Sequence, residues 1–289
     1  MKRLLLILLL TVTAALHAAP WNEGIYDWRN VRTVAPGIVR ASFSYKEPRL
    51  IRIHALRIDL TNPDLRFHVT PKAENYGQKM PDAPDCIIRT RRETTRNFFR
   101  GLREKNINIV AAVNATPWSP WRAPFTHTYA DKMGFLVSDG VVVMPPDGKR
   151  PSLIVTKDGH VDLATIPASA EISNVRHAVS GFGFVLTCGM VSGGNKDLAP
   201  RTGYGISKDR KYLYIFVADG RQPKYSMGFT HREVGEFLRY LGAYNGLNMD
   251  GGGSTTMIIR KGKDELMLNH QPGKGERLVG ASLGFSISR

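Results

Sequence analysis

Apolar and polar positions change period several times along this chain, and each change marks an element. Between Ile38 and Thr70 the segments IVRASFSY, LIRIHALRIDL and LRFHVT alternate with the two-residue period of half-buried strands, and TNPD supplies a turn. They read as an antiparallel part of a sheet. In TRRETTRNFFRGLREKN the period becomes helical. Thr90 and Glu93 stand at capping-box spacing, and Phe98, Phe99 and Leu102 form an apolar face beneath a basic outer surface. INIVAAVN follows as a buried strand ending at Asn114. GFLVSDGVVVM and SLIVTKDGHVDL are hairpin patterns whose Asp-Gly centres suit positive φ, so Asp139 and Asp158 are turn residues rather than catalytic carboxylates.

The C-terminal third carries the clearest instructions. KYLYIFVA reads as a strand delivering Asp219, Gly220 and Arg221 at its end. THREVGEFLRYLGA then has a capping box at Thr230 and Glu233, an apolar face of Val234, Phe237, Leu238 and Leu241, and Gly242 near the stop. NGLNM is a second strand, delivering Asp250. Strand, helix, strand over so short a span is the pattern of a parallel pair with a crossover helix, and ligands of such sheets bind outside the carboxyl ends of the strands. The expected fold class is α+β: a mixed β-sheet core, a few packed helices and a C-terminal β-α-β crossover carrying the site.

The first residues, MKRLLLILLLTVTAALHAAP, have a basic start, an unbroken apolar run and small residues at Ala18 and Ala19, the build of a secretory leader. Residues 1–19 are therefore read as a signal peptide, with 20–109 contributing strands and a helix to the same globular unit as the rest. The expected location is periplasmic or secreted, with no stable membrane span once the leader is removed. The formal charge is +15, and without Lys2 and Arg3 the chain still has 38 basic against 25 acidic residues. That excess attracts anions. Export argues against nucleic acid and leaves phosphate-bearing glycans or an anionic cell surface. Cys86 and Cys188, the only cysteines, offer no metal-site spacing and read equally as a disulfide or as two thiols.

Asp250 is followed by Gly251, Gly252, Gly253 and Ser254. Three successive glycines forgo side-chain packing, which a fold retains where backbone approaches something closely or takes positive φ. Amides in such a turn can form an anion-binding concavity, to which Ser254 and Thr255 add hydroxyls. A sharp turn capped by an aspartate is the plainer alternative. No Gly-Lys-Ser/Thr follows and the spacing is not that of a dinucleotide fingerprint, which sets nucleotide binding aside.

Together RTGYGIS, VADGR, SMGFTHREVGEFLRYLGAYNGLNMDGGGSTTM and GERLVGASLGF, with AAVNATPW upstream, resemble the phosphodiester glycosidase family over about Val110 to Phe285. Residues 110–289 are accordingly assigned to a phosphodiester glycosidase-like domain. Three segments depart from the family pattern: ATPWSPW after Asn114, Met249 before the aspartate, and RTGYG. These bear on the sugar and leaving group more than on the chemistry.

The resemblance implies hydrolysis of a glycosyl-phosphate bond in an anionic glycan. Glycoside cleavage passes through an oxocarbenium-like transition state that a carboxylate stabilises. A phosphate departs as a stable anion, so protonation matters less than a positive clamp. Asp250 is the first candidate for the carboxylate, Asp219 the second and Glu276 the third. Arg201, Arg221 and Arg277 are the candidate phosphate contacts, since a guanidinium fork matches phosphate oxygens, and Thr202 is a candidate substrate contact; structural ion pairs are the alternative for each arginine. Asn114 can contact a sugar or cap a turn. His127 lies in a loop whose Trp118, Trp121 and Tyr129 can stack on a sugar ring, or simply on one another. His231 and His270 suit loop stabilisation better than acid–base work. No cofactor is firmly implied; a divalent cation shared by Asp219, Asp250 and Glu276 is possible. Two rival functions remain, a non-catalytic binder of anionic glycan in the envelope or in polysaccharide export, and a glycosidase on unphosphorylated sugars. Oligomeric state is left open.

Overall fold

The computed structural model describes residues 19–21, 24–273 and 275–288. Apart from Ala19, the leader read at 1–19 lies outside the described residues. The fold is α+β, with two α-helices among the described residues set against several β-sheets.

An eight-stranded sheet runs in the order Arg32–Ala35, Ile38–Tyr45, Ile51–Asp59, Tyr212–Ala218, Arg201–Ile206, Asn245–Asn248, Gly183–Thr187, Met190–Val191. A five-stranded sheet runs Asp264–Met267, Met257–Lys261, Ile109–Asn114, Ser282–Ile287, Leu65–Val69. A second five-stranded sheet carries both Asp-Gly hairpins. The main core lies between these layers, where Leu56, Tyr204, Ile215 and Val217 of the large sheet meet Val110, Val113, Leu283 and Phe285 of the next. The other face of the large sheet packs under the His231–Leu241 helix, with Val234, Phe237, Leu238 and Leu241 fully buried. Each such side chain contributes about 2 kcal/mol of burial free energy.

That helix forms as its sequence directs. Thr230 and Glu233 close a complete capping box, and Gly242 ends the helix at φ 111°, a left-handed conformation that suits glycine. Its two flanking strands are parallel to each other, since Tyr212–Ala218 and Asn245–Asn248 both run antiparallel to Arg201–Ile206. The expected crossover pair is therefore split, with the Arg201–Ile206 strand between its two members.

Other expectations need correction. Leu65–Val69 leaves the sheet of its neighbours and pairs with Ser282–Ile287, because a two-residue period specifies a half-buried strand but not its partner. The first helix spans Thr95–Glu104 and is capped by Thr94, whose side chain accepts from the Asn97 amide. Thr90 instead pairs with Ala130 in a short strand and donates its hydroxyl to the Gly280 carbonyl, so the Thr90/Glu93 box does not form. In the second hairpin Gly159 alone supplies positive φ, whereas in the first both Asp139 and Gly140 do. Cys86 is buried, Cys188 is exposed, and both are free thiols.

Candidate active site

Insertion of the Arg201–Ile206 strand between its two parallel neighbours brings the sequence motifs together. An antiparallel strand begins where its neighbours end, and here Arg201 lies opposite Ala218 while Gly203 lies opposite Asn248. Asp219, Arg201 and Asp250 thus reach one edge of the sheet. Asp250 is 8% exposed, and its Oδ1 accepts the Gly251 amide at 3.0 Å.

Each of the three glycines after Asp250 stands against a different arginine. A Cβ on Gly251 would lie 2.9 Å from the Pro200 carbonyl oxygen and 3.6 Å from Arg201 Cα. On Gly252, whose φ is 61°, it would lie 3.2 Å from an Arg221 guanidinium nitrogen, and on Gly253 only 2.6 Å from Arg277 Cζ. The absent side chains let the Pro200–Arg201 backbone and the Arg221 and Arg277 guanidiniums, from three separate segments, close over one turn. Arg201 is anchored by its Nε on the Phe229 carbonyl and by a terminal nitrogen on the Asp197 carbonyl. Arg221 sits at φ 58°, a conformation costing a non-glycine residue about 1 kcal/mol, and hydrogen bonds of the 221–227 turn hold it there. Burial depresses the Arg201 and Arg277 pKa values; Arg221 depresses both further, and Asp250 opposes the shift at Arg277. Cations massed in this way, beside one carboxylate, have the charge and the donors that an anion with more than one negative oxygen requires.

Asn114 organises the turn from beneath. Fully buried, it donates from Nδ2 to the Asp250 carbonyl, while its Oδ1 accepts from the Thr202 hydroxyl and the Thr256 amide. Tyr204 donates its hydroxyl to the Asn114 carbonyl. Asn114 and Thr202 therefore position the Asp250 backbone, and neither side chain is exposed to a crevice. The Ser254 and Thr255 hydroxyls are also buried, with no hydrogen-bond partner among the described residues.

Asp219 has a different environment from Asp250. Its side chain is 1% exposed and its Oδ1 accepts the His270 amide at 2.8 Å, which ties down the loop leading to Arg277. Burial pushes its pKa up to about 7, against the opposing pull of the His270 amide, Asn269, Tyr225 and Arg52. A raised carboxyl binds a proton in the folded state that the unfolded chain releases near pH 4, so stability falls as pH rises from about 4 to about 7. Asp219→Asn is expected to remove this dependence. The difference between wild-type and variant unfolding free energies, read from urea titrations, should move against the wild type by up to about 1.4 kcal/mol per pH unit across that window. A flat difference profile would contradict the assignment.

Glu276 faces the start of the first helix. Its carboxylate accepts the Arg96 amide at 2.9 Å and the Arg96 Nε at 3.1 Å, at the start of the first helix, a site favourable to an anion. Among the described residues no group of three His, Cys, Asp or Glu side chains is placed to hold a metal ion. His127 is buried beside Asp82 at 3.1 Å, and its carbonyl accepts from Arg92. Tyr129 donates to Glu74, which also pairs with Arg91. Trp121, 56% exposed, lies under the Arg277 guanidinium at 5.1 Å, and Trp118 under Arg92 at 4.0 Å. His270 contacts Gln222 and Tyr225, while His231 accepts the Asn195 amide, so both brace loops.

Residue patterns gave no hint of Gln271, which accepts the Arg277 amide and donates to the Thr255 carbonyl and the Thr256 hydroxyl. It joins the Arg277 loop to the glycine turn.

The chain matches the model of the phosphodiester glycosidases over residues 108–286. Its fold is similar to the catalytic domain of zebrafish N-acetylglucosamine-1-phosphodiester alpha-N-acetylglucosaminidase, auto-inhibited by its pro-peptide. The TM-score is 0.61 at 18% identity, covering 90% of this chain and 87% of that one. It is also similar to a hypothetical protein from Synechocystis, with a TM-score of 0.58 at 12% identity over 88% and 62% of the two chains. A putative exported protein from Burkholderia pseudomallei gives 0.55 at 15% identity over 83% and 74%. At these identities the structural likeness is one of fold. None of the curated proteins matches the chain by sequence.

Proposed function

Because the chain belongs to the phosphodiester glycosidase family, we propose that it is an exported hydrolase cleaving the bond between an anomeric carbon and a phosphodiester oxygen in a cell-surface or extracellular glycan. The observation that carries this reading is the glycine turn, with Asp250 at its start, the Arg201 backbone against Gly251 and the Arg221 and Arg277 guanidiniums against Gly252 and Gly253. Arg201, Arg221 and Arg277 engage the phosphate oxygens and neutralise the charge that builds as the C–O bond breaks. Asp250 faces the positive charge developing at the anomeric carbon, either by bonding to it or by directing a water. A leaving phosphate needs no strong general acid, which suits a site with one carboxylate and several arginines. Trp121 beside Arg277 offers a sugar ring an apolar surface. Among the described residues no helix is long and apolar enough to cross a membrane, and with the leader the reading is of a periplasmic or secreted protein.

The rival functions predict other dependences on the arginines. Arg221→Ala is expected to lower kcat/KM on a glycosyl phosphodiester by about 100-fold while leaving hydrolysis of the matching unphosphorylated aryl glycoside, where measurable, within a few-fold. Better turnover of the aryl glycoside by the wild type would favour the ordinary glycosidase. Tight binding of a phosphodiester panel with no turnover would favour the binder.

A further inference from the structure

Outside the active site, cationic side chains follow one another across a single face of the large sheet. Residues facing one side of a strand alternate. On Ile51–Asp59 that alternation places Arg52 and His54 on the face that carries Leu56 and Ile58 into the core. Register across the neighbouring strand pairs Ser44 with Arg52, Ser42 with His54 and Arg40 with Leu56, and Arg32 lies directly opposite Arg40. Toward the Asp219 end this face carries Arg52, His54, Arg40 and Arg32 in place of apolar residues.

Two features of this stripe do not serve the fold. Like charges directly opposite in a sheet repel, yet Arg32 and Arg40 are so placed, and burial together with Arg32 depresses the Arg40 pKa. Among the described residues no carboxylate lies within ion-pair distance of Arg32, Arg40 or Arg52, although fourteen other Lys or Arg pairs with carboxylates form. His54, bonded to Ser42 at 2.9 Å, is held down at about 4 by burial and by Arg40 and Arg52, so it is neutral and adds no repulsion of its own. The stripe begins at the active site. Arg52 lies over the Tyr225 ring at 4.7 Å, in the turn that follows Arg221, and its charge is felt by Asp219. From Arg52 to Arg32 the path runs about 13 Å along the strands and about 10 Å across them.

We propose that this stripe is a binding track for a polyanionic glycan whose next phosphate-bearing units lie beyond the bond being cleaved, so that the substrate is a polymer and not an isolated glycosyl phosphodiester. The proposal rests on the glycosyl-phosphodiester reading of the active site and extends it. Unpaired guanidiniums in a row match successive phosphates, and the excess of 40 basic over 25 acidic residues favours a long anion.

The test uses oligomers of a glycosyl phosphate containing one to eight repeats, labelled with a fluorophore and titrated by anisotropy against Asp250→Asn protein with and without Arg32→Ala and Arg40→Ala. With the arginines present, affinity should rise about tenfold or more from one repeat to four. The double substitution should abolish that rise, flatten the salt dependence for long oligomers and leave the single repeat unchanged. Its thermal midpoint should be equal or higher, because a repulsion has been removed. Equal affinity for one and eight repeats with the arginines present would overturn the track, as would equal losses for short and long oligomers. Stronger arginine-dependent binding to vesicles containing anionic phospholipid than to the octamer would assign the stripe to a membrane surface and overturn it too. Absence of any binding or cleavage of the single repeat by wild type would instead sink the active-site reading on which the track rests.

Discussion

Asp250→Asn is expected to lower kcat on a glycosyl phosphodiester by about four orders of magnitude while leaving the affinity for the intact substrate within a few-fold. The substitution keeps side-chain volume and an oxygen able to accept the Gly251 amide, so the turn has no cause to rearrange. It removes the negative charge that faces the anomeric carbon in the transition state. The Asp250 backbone is held independently of its side chain, by Asn114 donating to its carbonyl and by its own amide donating to the Ala115 carbonyl. Single-turnover kinetics with parallel calorimetric binding separate the two effects. Activity within tenfold of wild type would remove Asp250 from the reacting centre. Binding lost together with activity would make it a structural residue.

The second large effect is expected from a methyl group. Gly253→Ala places a Cβ 2.6 Å from Arg277 Cζ, too close for the guanidinium to stay where it is. Since that group is the far end of a flexible side chain, it can move aside, and the cost to stability should stay near 1 kcal/mol. Misplacing a phosphate contact by an ångström or more should reduce kcat/KM by about 100-fold. If the glycine exists to admit the arginine, Gly253→Ala and Arg277→Ala remove the same interaction, and the double variant should be little worse than either single one. Full additivity of the two losses would show that the glycine serves another purpose. The same construction at Gly251 is less informative, because its Cβ would meet the Pro200 carbonyl and strain the backbone.

The His231–Leu241 helix was legible because its cap, apolar face and stop all lie within the segment itself. The parallel sense of its two strands was legible for the same reason, as a short span with a helix between them leaves few ways to return. The strand that separates them was not, because its position depends on pairing between residues distant in sequence. Leu65–Val69 shows the same limit, having crossed to a partner more than two hundred positions away.

At the site, Asp250, its glycines and three arginines were recognisable as motif fragments. What each glycine does was not, since the arginine beside it comes from another segment. Glu276 had the right chemistry and the right neighbour in Arg277, but Arg96 at the start of the first helix holds its carboxylate. Asn114 was marked by position, at the end of a buried strand; its hydrogen bonds to Thr202, Thr256 and Asp250 required the assembled core.

In the proposed reaction the bond broken joins carbon to oxygen, with the phosphate as leaving group. Hydrolysis of a glycosyl phosphodiester in oxygen-18 water, followed by mass spectrometry of both products, tests it most directly. The label is expected at the anomeric hydroxyl of the released sugar, with an unlabelled phosphomonoester. Label in the phosphate, or release of a sugar 1-phosphate, would mean that water attacks phosphorus and would contradict it.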